Sequence, residues 1–314
     1  MSAGDPDISV CIATHRRPEG LARLLESLGA LELPHGVEIE VIVVDNDPSG
    51  SAAELVERLD PSVSGHHALR LLRDPRHKNV AHVRNTAVEA ARGTWVAFID
   101  DDEVADKSWL AAYWALAREG PYDGWFGPVL PRLERNVTPW LDLETFYSRP
   151  RHPTGTAITA ADTRTANAFV RRERLLEQPF DPDFGLVSEL TEDYEVFSRM
   201  IDRGARFAWC DEAIVVETIP PERHTLRWLV GRSYWSSLMM ARVTAAMAPR
   251  RSPGMKLLLG VARTLFGAGL VLVAAPTALR SRRAAARMLR RAGVQAGQVR
   301  ALFDRASSGK LRAR

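Results

Sequence analysis

The chain has 314 residues, 46% hydrophobic and 26% charged, with a formal net charge of +3. That is the composition of a globular protein with room for one large domain or two ordinary ones. Its two cysteines, Cys11 and Cys210, each sit in an apolar strand-like run, which excludes a disulfide framework and zinc-ligand spacing and reads as two reduced core thiols.

The net charge hides an asymmetry. Residues 241–314 hold sixteen Lys or Arg and one acid, a net +15, and leave residues 1–240 with 26 bases and 38 acids, a net −12. A split of this kind points to a basic tail that meets an anionic surface, either nucleic acid or lipid. The opening "MSAGDPDISV" lacks a basic region followed by an apolar stretch, so a cytoplasmic location is expected.

In chain order, "ISVCIAT" (8–14) reads as a buried strand. "PEGLARLLESLGA" follows with Leu21, Leu24, Leu25 and Leu28 at helical spacing, Pro18 near its start and Gly29 near its end. "VEIEVIVVDND" (37–47) is a second strand and "SAAELVERL" a second helix. "ALRLLRD" is a third strand, and "NVAHVRNTAVEAARG" is a helix with Asn79 as its cap and Gly93 past its end. "TWVAFI" (94–99) is a fourth strand, and it runs straight into Asp100, Asp101, Asp102 and Glu103.

Alternating strands and helices imply right-handed crossovers and a mainly parallel sheet. Ligands of such sheets bind at the carboxyl ends of strands. Thr14, Asp45 and the acidic run would then face one crevice. Beyond the acids, "DKSWLAAYWALAREG" is a helix and "GWFGPVLP" (124–131) one strand. Residues 132–162 are irregular. "TANAFVRRERLLEQ" is a strand leading to a helix, and "EDYEVFSRMIDRGA" is a helix. Two short strands (206–210 and 213–218) precede a long helix at 225–248, and no repeat or low-complexity run is found.

Crowded carboxylates raise one another's pKa unless a cation sits among them. Strand alternation would point Asp100 and Asp102 to one side and Asp101 to the other. Hard divalent ions such as Mg²⁺ or Mn²⁺ take few carboxylates plus phosphate oxygens, so this strand end suits a metal–diphosphate site. A solvated acidic turn is the competing reading. Asp45 can accept hydrogen bonds from a base or ribose, against an Asx turn through Asn46 or Asp47. "ATHRRPEGL" offers backbone N–H groups and Arg16 or Arg17 to a diphosphate, with His15 structural. Arg84 and Asn85 lie on the third helix, where a solvated face is the ordinary outcome. In "ELTEDYEVF", which holds Glu189, Glu192, Asp193 and Glu195, Asp193 is either a helix-start acid or a general base. Glu217 ends a short strand, and with His224 and Arg227 it reads equally as a polar loop or as metal or phosphate ligands.

Over about residues 7–235 these stretches, in this order, resemble glycosyltransferase family 2. The later half, with "ETIPPERHTLRWL", is most similar to bacterial exopolysaccharide and lipopolysaccharide glucosyltransferases of the succinoglycan type. The resemblance implies the GT-A fold: an α/β, Rossmann-like, mainly parallel sheet flanked by helices. It implies Thr14, Arg17, Asp45, Arg84, Asn85, Asp100 and Asp101 on the nucleotide-sugar side. Asp102 and Asp100 become metal ligands for Mg²⁺ or Mn²⁺, and Asp193 becomes the acid that deprotonates the acceptor. Where many relatives carry a further His ligand, this chain has Glu217, with His224 as competitor. The implied reaction is a single displacement with inversion, from a UDP-sugar or similar donor.

A nucleotidyltransferase would show a Gly-rich loop with Lys near the N-terminus, where "THRRPEG" stands instead. A catalytically inactive binding protein is the other competitor, opposed by the intact acids. The expected domains are 1–240, with a nucleotide-sugar half (about 1–130) and an acceptor half (about 131–240), and a basic helical tail at 241–314. Within the tail, 257–279 is apolar. Its uncharged part, 264–279, is a sixteen-residue stretch that would span about 24 Å as a helix, short of the ~30 Å hydrocarbon core, and it holds Pro276. Arg250, Arg251 and Lys256 precede it and an Arg cluster follows. Cations on both sides suit a segment lying on an anionic cytoplasmic leaflet of the bacterial inner membrane, with a lipid-linked acceptor and no nucleic acid. A packed core helix is the alternative.

Overall fold

The structure, a computed structural model, describes residues 5–58, 68–75, 79–118, 120–135, 138, 140–185, 192–247 and 252–303. Glu189, Arg250 and Arg251 lie outside the described residues. The first half follows the expected alternation: β1 (Ile8–Thr14), α1 (Pro18–Gly29), β2 (Ile39–Asp45), α2 (Ala53–Arg58), β3 (Ala68–Arg73), α3 (Val80–Ala90) and β4 (Trp95–Ile99). Then come β5 (Glu103–Ala105), α4 (Trp109–Ala117), β6 (Gly124–Phe126), β7 (Val129–Leu133), α5 (Leu143–Tyr147), β8 (Asn167–Arg171) and α6 (Arg172–Glu177). The chain continues through α7 (Pro182–Gly185), α8 (Glu192–Asp202), β9 (Phe207–Trp209), β10 (Val215–Ile219), α9 (Leu226–Met247), α10 (Pro253–Arg280) and α11 (Arg282–Phe303).

Seven strands form one sheet in the order β3-β2-β1-β4-β8-β6-β9. All its pairings are parallel except those of β8, which runs antiparallel to β4 and β6. Period-two patterning explains why it is covered on both faces. Ile8, Val10, Ile12, Val41, Val43, Ala97 and Ile99 pack with α1 and α4 in one core. Their neighbours Cys11, Ile42, Val44, Val96 and Phe98 pack with α3, α6 and α8 in the other. Both cysteines are buried and free, as expected.

The strand expected at 124–131 is two strands in different sheets, because Gly127 and Pro128 break it. Pro128 has no N–H to donate. A Cβ on Gly127 would lie 2.4 Å from the Ala213 carbonyl oxygen, so only glycine fits. Asn167 holds this corner: its Nδ2 donates to the carbonyls of Pro128 (3.0 Å) and Ala213 (2.7 Å), and its Oδ1 accepts from Trp109 Nε1 and Tyr113 OH. The second sheet has the order β5-β10-β7.

In space the chain divides into Met1–Arg132 with Ser148–Thr218, and Leu133–Tyr147 with Ile219–Arg314. The boundary expected at residue 240 falls instead inside α9, which runs unbroken from Leu226 to Met247. In the second unit, Leu141, Leu143, Leu229 and Ala286 form a small core of their own.

Candidate active site

The strand order reverses between β1 and β4, and their carboxyl ends make the crevice where such sheets bind ligands. Cys11, Ala13, Arg84, Ala87, Phe98, Ile99 and Asp100 line it. The acidic run follows β4 as a turn, not as extended strand, so simple alternation fails there. Asp101, expected on the side opposite Asp100 and Asp102, turns to Thr14 and Arg17. Its Oδ2 accepts from the buried Thr14 hydroxyl at 2.8 Å and its Oδ1 from Arg17 Nη1 at 2.8 Å. Asp102 shares that Arg17 nitrogen at 3.1 Å, whereas Asp100 turns to Arg84 Nη2 at 3.4 Å. Asp100 and Asp102 therefore have different partners. Gly20 lets α1 approach this turn, since a Cβ there would lie 2.5 Å from the Asp101 carbonyl oxygen. Next to it Arg16 takes a φ of 54°, a left-handed conformation of the kind kept at functional sites.

Pairing of β5 with β10 sets Glu217 directly opposite Glu103, where like charges repel. Burial pushes the Glu103 carboxyl well above the ordinary carboxylate range, and Asp100 and Glu217 push it further. Its Oε2 accepts from the Asp100 N–H at 2.8 Å, so it shapes the turn from beneath. Glu217 is held by Arg149 Nη2 at 3.3 Å. His224 belongs to the second unit and is fully buried; its Nε2 meets the Ile219 carbonyl at 3.1 Å.

Arg84 is not a solvated helix-face residue. It is 8% exposed, and its guanidinium pairs with both Asp100 and the buried Glu192. One side chain thus ties the end of β4 to the first turn of α8. Asp193 follows Glu192 and is half-buried. Burial raises its carboxyl above the usual range, against the pull of Arg84 and Arg164 and with a push from Asp100. Asn85 spends both amide ends on the backbone of Phe180, at 2.8 and 2.9 Å, and so fixes the segment that packs on α3.

Asp45 is fully enclosed. Its oxygens accept the N–H groups of Asp47 at 2.8 Å and Ala52 at 2.9 Å, which is turn-building geometry. Polar atoms left open near it belong to residues the sequence assigned to a turn and to structure. Asn46 Oδ1 and His15 Nδ1, just past the ends of β2 and β1, are buried without a hydrogen-bond partner. Two arginines, one in the irregular stretch and one just after it, were missed. Arg149 Nη1 is buried without a partner. Burial, and then Arg149, lower the Arg164 guanidinium to about 10. Both side chains are half-buried, so two like charges share one partly desolvated place. No period or spacing in "SRPRHPTGTAITAADTRT" signals either.

A profile described as glycosyl transferase family 2 matches residues 9–176, more than half of the chain. The chain belongs to glycosyltransferase family 2. The succinoglycan biosynthesis protein ExoM of Rhizobium meliloti (strain 1021) is 33% identical over 301 residues, covering 93% of this chain and 92% of the relative. Among solved structures, the mannosyltransferase PcManGT of Pyrobaculum calidifontis, in complex with GDP-Man and Mn2+, superposes with a TM-score of 0.63 at 18% identity, covering 96% of this chain and 88% of that one. S. aureus TarS 1-349 in complex with UDP gives 0.53 at 18% identity over 93% and 90%. These likenesses establish the GT-A fold of this family 2 enzyme and agree with the mostly parallel sheet described above.

Proposed function

We propose that this enzyme is an inverting hexosyltransferase of bacterial surface polysaccharide synthesis. It moves a sugar from a nucleotide-diphosphate sugar, a UDP-sugar first among them, to a hydroxyl of a lipid-linked saccharide at the cytoplasmic face of the inner membrane. The observation that carries the reading is Arg84, which draws the first turn of α8, with Asp193, to the acidic run. The donor class is supported by the complexes of the similarly folded S. aureus TarS with UDP and PcManGT with GDP-Man and Mn2+. The name of the Rhizobium relative supports the pathway class.

The acids fit a divalent cation. Asp100 and Asp102 keep part of their surface in solvent, open to an ion. Among the described residues no three His, Cys, Asp or Glu side chains make a ready cage; Mg²⁺ and Mn²⁺ take one or two carboxylates and complete their shell with phosphate oxygens and water. Asp102 and Asp100 would hold the ion; Glu217, expected as a further ligand, is tied to Arg149 and forms no ready cage with them among the described residues. When bound, the ion offsets charge on the leaving diphosphate.

The chain's own groups then do the following. Asp193 accepts the proton of the acceptor hydroxyl. The freed oxygen bonds to the anomeric carbon as the bond from that carbon to the diphosphate oxygen breaks, its electron pair leaving with the nucleoside diphosphate. Attack from the opposite face inverts the configuration. Thr14 and Arg17 hold Asp101 and so fix the acidic turn. Asp45 and Asn85 shape the loops around the nucleotide, and the open Asn46 amide meets the base.

The test is nucleoside diphosphate release from a panel of nucleotide-sugars, with the anomeric configuration of the product read by NMR. A product of retained configuration, or no release with any donor, overturns the reading. In Asp102→Asn, metal-dependent donor binding weakens at least about tenfold while the melting curve holds. Unchanged Mn²⁺ affinity by titration calorimetry would remove Asp102 from the metal. Arg149→Met lowers kcat by about tenfold or more by withdrawing a donor from the growing charge. Were kcat kept and only stability changed, Arg149 would be a partner of Glu217 and nothing more.

A further inference from the structure

Helix α10 carries two opposed stripes. Gly260, Gly267 and Ala274, seven residues apart, are its buried positions. Two of them face α11: a Cβ on Gly260 would touch Phe303, and one on Gly267 would touch Gln295. Two positions earlier in each turn stand Leu258, Leu265 and Leu272, followed by Leu279, and they are 64%, 68%, 75% and 90% exposed. At about 100° per residue, a shift of two positions puts them on the opposite face. Leu257, Val261, Phe266, Val271 and Val273 are exposed beside them, so the apolar surface is a broad face, not a narrow seam. A face of this breadth on a helix of 28 residues is unusual for water.

Its neighbour has the opposite character. α11 carries Arg282, Arg283, Arg287, Arg290, Arg291 and Arg300 and no acid. The two helices are joined by Ser281 alone and run back alongside each other, with Gly260 beside Phe303, Gly267 beside Gln295, and Arg263 Nη1 on Gln295 Oε1 at 3.4 Å. On its other side α11 packs closely on α9. Cβ atoms on Gly293 and Gly297 would lie 2.9 and 2.3 Å from the Val230 and Tyr234 carbonyl oxygens, and Ser237 donates to the Val294 carbonyl at 2.7 Å.

The pairing decides the orientation. α10 is about 42 Å long, enough to cross a bilayer. A crossing α10 would carry α11 with it. Residue 267 would be near the midplane, and the exposed Arg291, four residues along from Gln295, would sit in hydrocarbon within about a turn of it, with Arg263 close by. Charges there are strongly disfavoured. Laid flat, the same hairpin sets the leucine face against acyl chains and the exposed Arg282, Arg283, Arg287 and Arg291 at headgroup level.

We propose that the α10–α11 hairpin is a monotopic anchor lying in the plane of an anionic leaflet, with Leu258, Leu265, Leu272 and Leu279 inserted and both ends of α10 on one side. A second copy of the chain is the other conceivable occupant. The Arg-rich α11 beside the face would repel its own copy but complements anionic lipid. The inference does not rest on the transfer reaction, and its readouts do not use it.

The full chain is mixed with phosphatidylcholine vesicles with and without phosphatidylglycerol. Co-sedimentation is expected only with phosphatidylglycerol, weakened at least about tenfold by 0.5 M salt and by replacing the four leucines with Gln, with an unchanged melting curve because all four are exposed. Ser252→Cys and Ser281→Cys, at the two ends of α10, are then labelled on vesicles by a membrane-impermeant maleimide added outside; Cys11 and Cys210 are buried and give the background. Full labelling of both sites without detergent is the expected result. Protection of one end until detergent is added means a crossing helix and overturns the proposal. So does absence of vesicle binding, or equal binding by the Gln variant. A Leu-dependent dimer in ultracentrifugation without vesicle binding gives the face to a second copy instead.

Discussion

Asp193→Asn cuts transfer by roughly 10²–10⁴-fold, the ordinary cost of a lost acid–base group, and leaves donor affinity unchanged. The amide keeps the size of the side chain and can still accept at the helix start, where Asp193 Oδ1 takes the Tyr194 N–H at 2.7 Å. What it loses is the ability to take a proton. Burial raises the Asp193 carboxyl above its usual range despite Arg84. A base works unprotonated, so kcat in the parent rises with pH through that raised value, above the ordinary ~3.9 of Asp. The Asn variant loses this ascending limb. Stability has the opposite sign. An acid that holds its proton more tightly folded than unfolded adds stability below its unfolded pKa, and the gain fades as pH rises through the folded value. At neutral pH the charged Asp193 is therefore a cost, and Asp193→Asn melts no lower than the parent. A loss confined to donor affinity, with the pH limb intact, would make Asp193 a binding or capping residue.

Much of the site's framework was legible because its signals are local. β1, β2 and β4 announce themselves by apolar runs that end in Thr14, Asp45 and Asp100, and α1 by its four leucines, so the crevice at their ends follows from topology. What was not legible depends on partners far apart in sequence. Nothing near Arg84 says that Glu192, 108 residues on, will bury it. Asp45 looks like an open strand-end acceptor until the turn through Ala52 closes over both oxygens. Arg149 and Arg164 sit where no periodicity exists to place them. The tail shows the same limit in reverse. Composition marked 257–279 as apolar and its flanks as basic, but only the packed glycines reveal that a charged helix lies along the apolar one. Pro276, read as weakening a span, sits on the exposed side of α10 without ending it.

Arg84→Met is expected to destabilise the protein by about 3–5 kcal/mol, because it strips the guanidinium from a buried ion pair with Glu192. Glu192 meets that loss by taking up a proton, which burial already favours, so the deficit in urea unfolding shrinks as pH falls. Arg84→Met with Glu192→Gln removes the stranded charge and recovers much of the stability. Activity does not return with it. Arg84 also faces Asp100 and lowers the Asp193 carboxyl, and neither effect depends on Glu192 being charged. Without the guanidinium, the Asp193 carboxyl rises further and the ascending limb of kcat moves to higher pH in both the single and the double variant. That shift separates positioning from packing, since a mere cavity would lower kcat without moving the limb. If the double variant regains parental kcat with an unmoved pH profile, Arg84 serves only to neutralise Glu192, and the link it makes between the acidic turn and the base has no part in transfer.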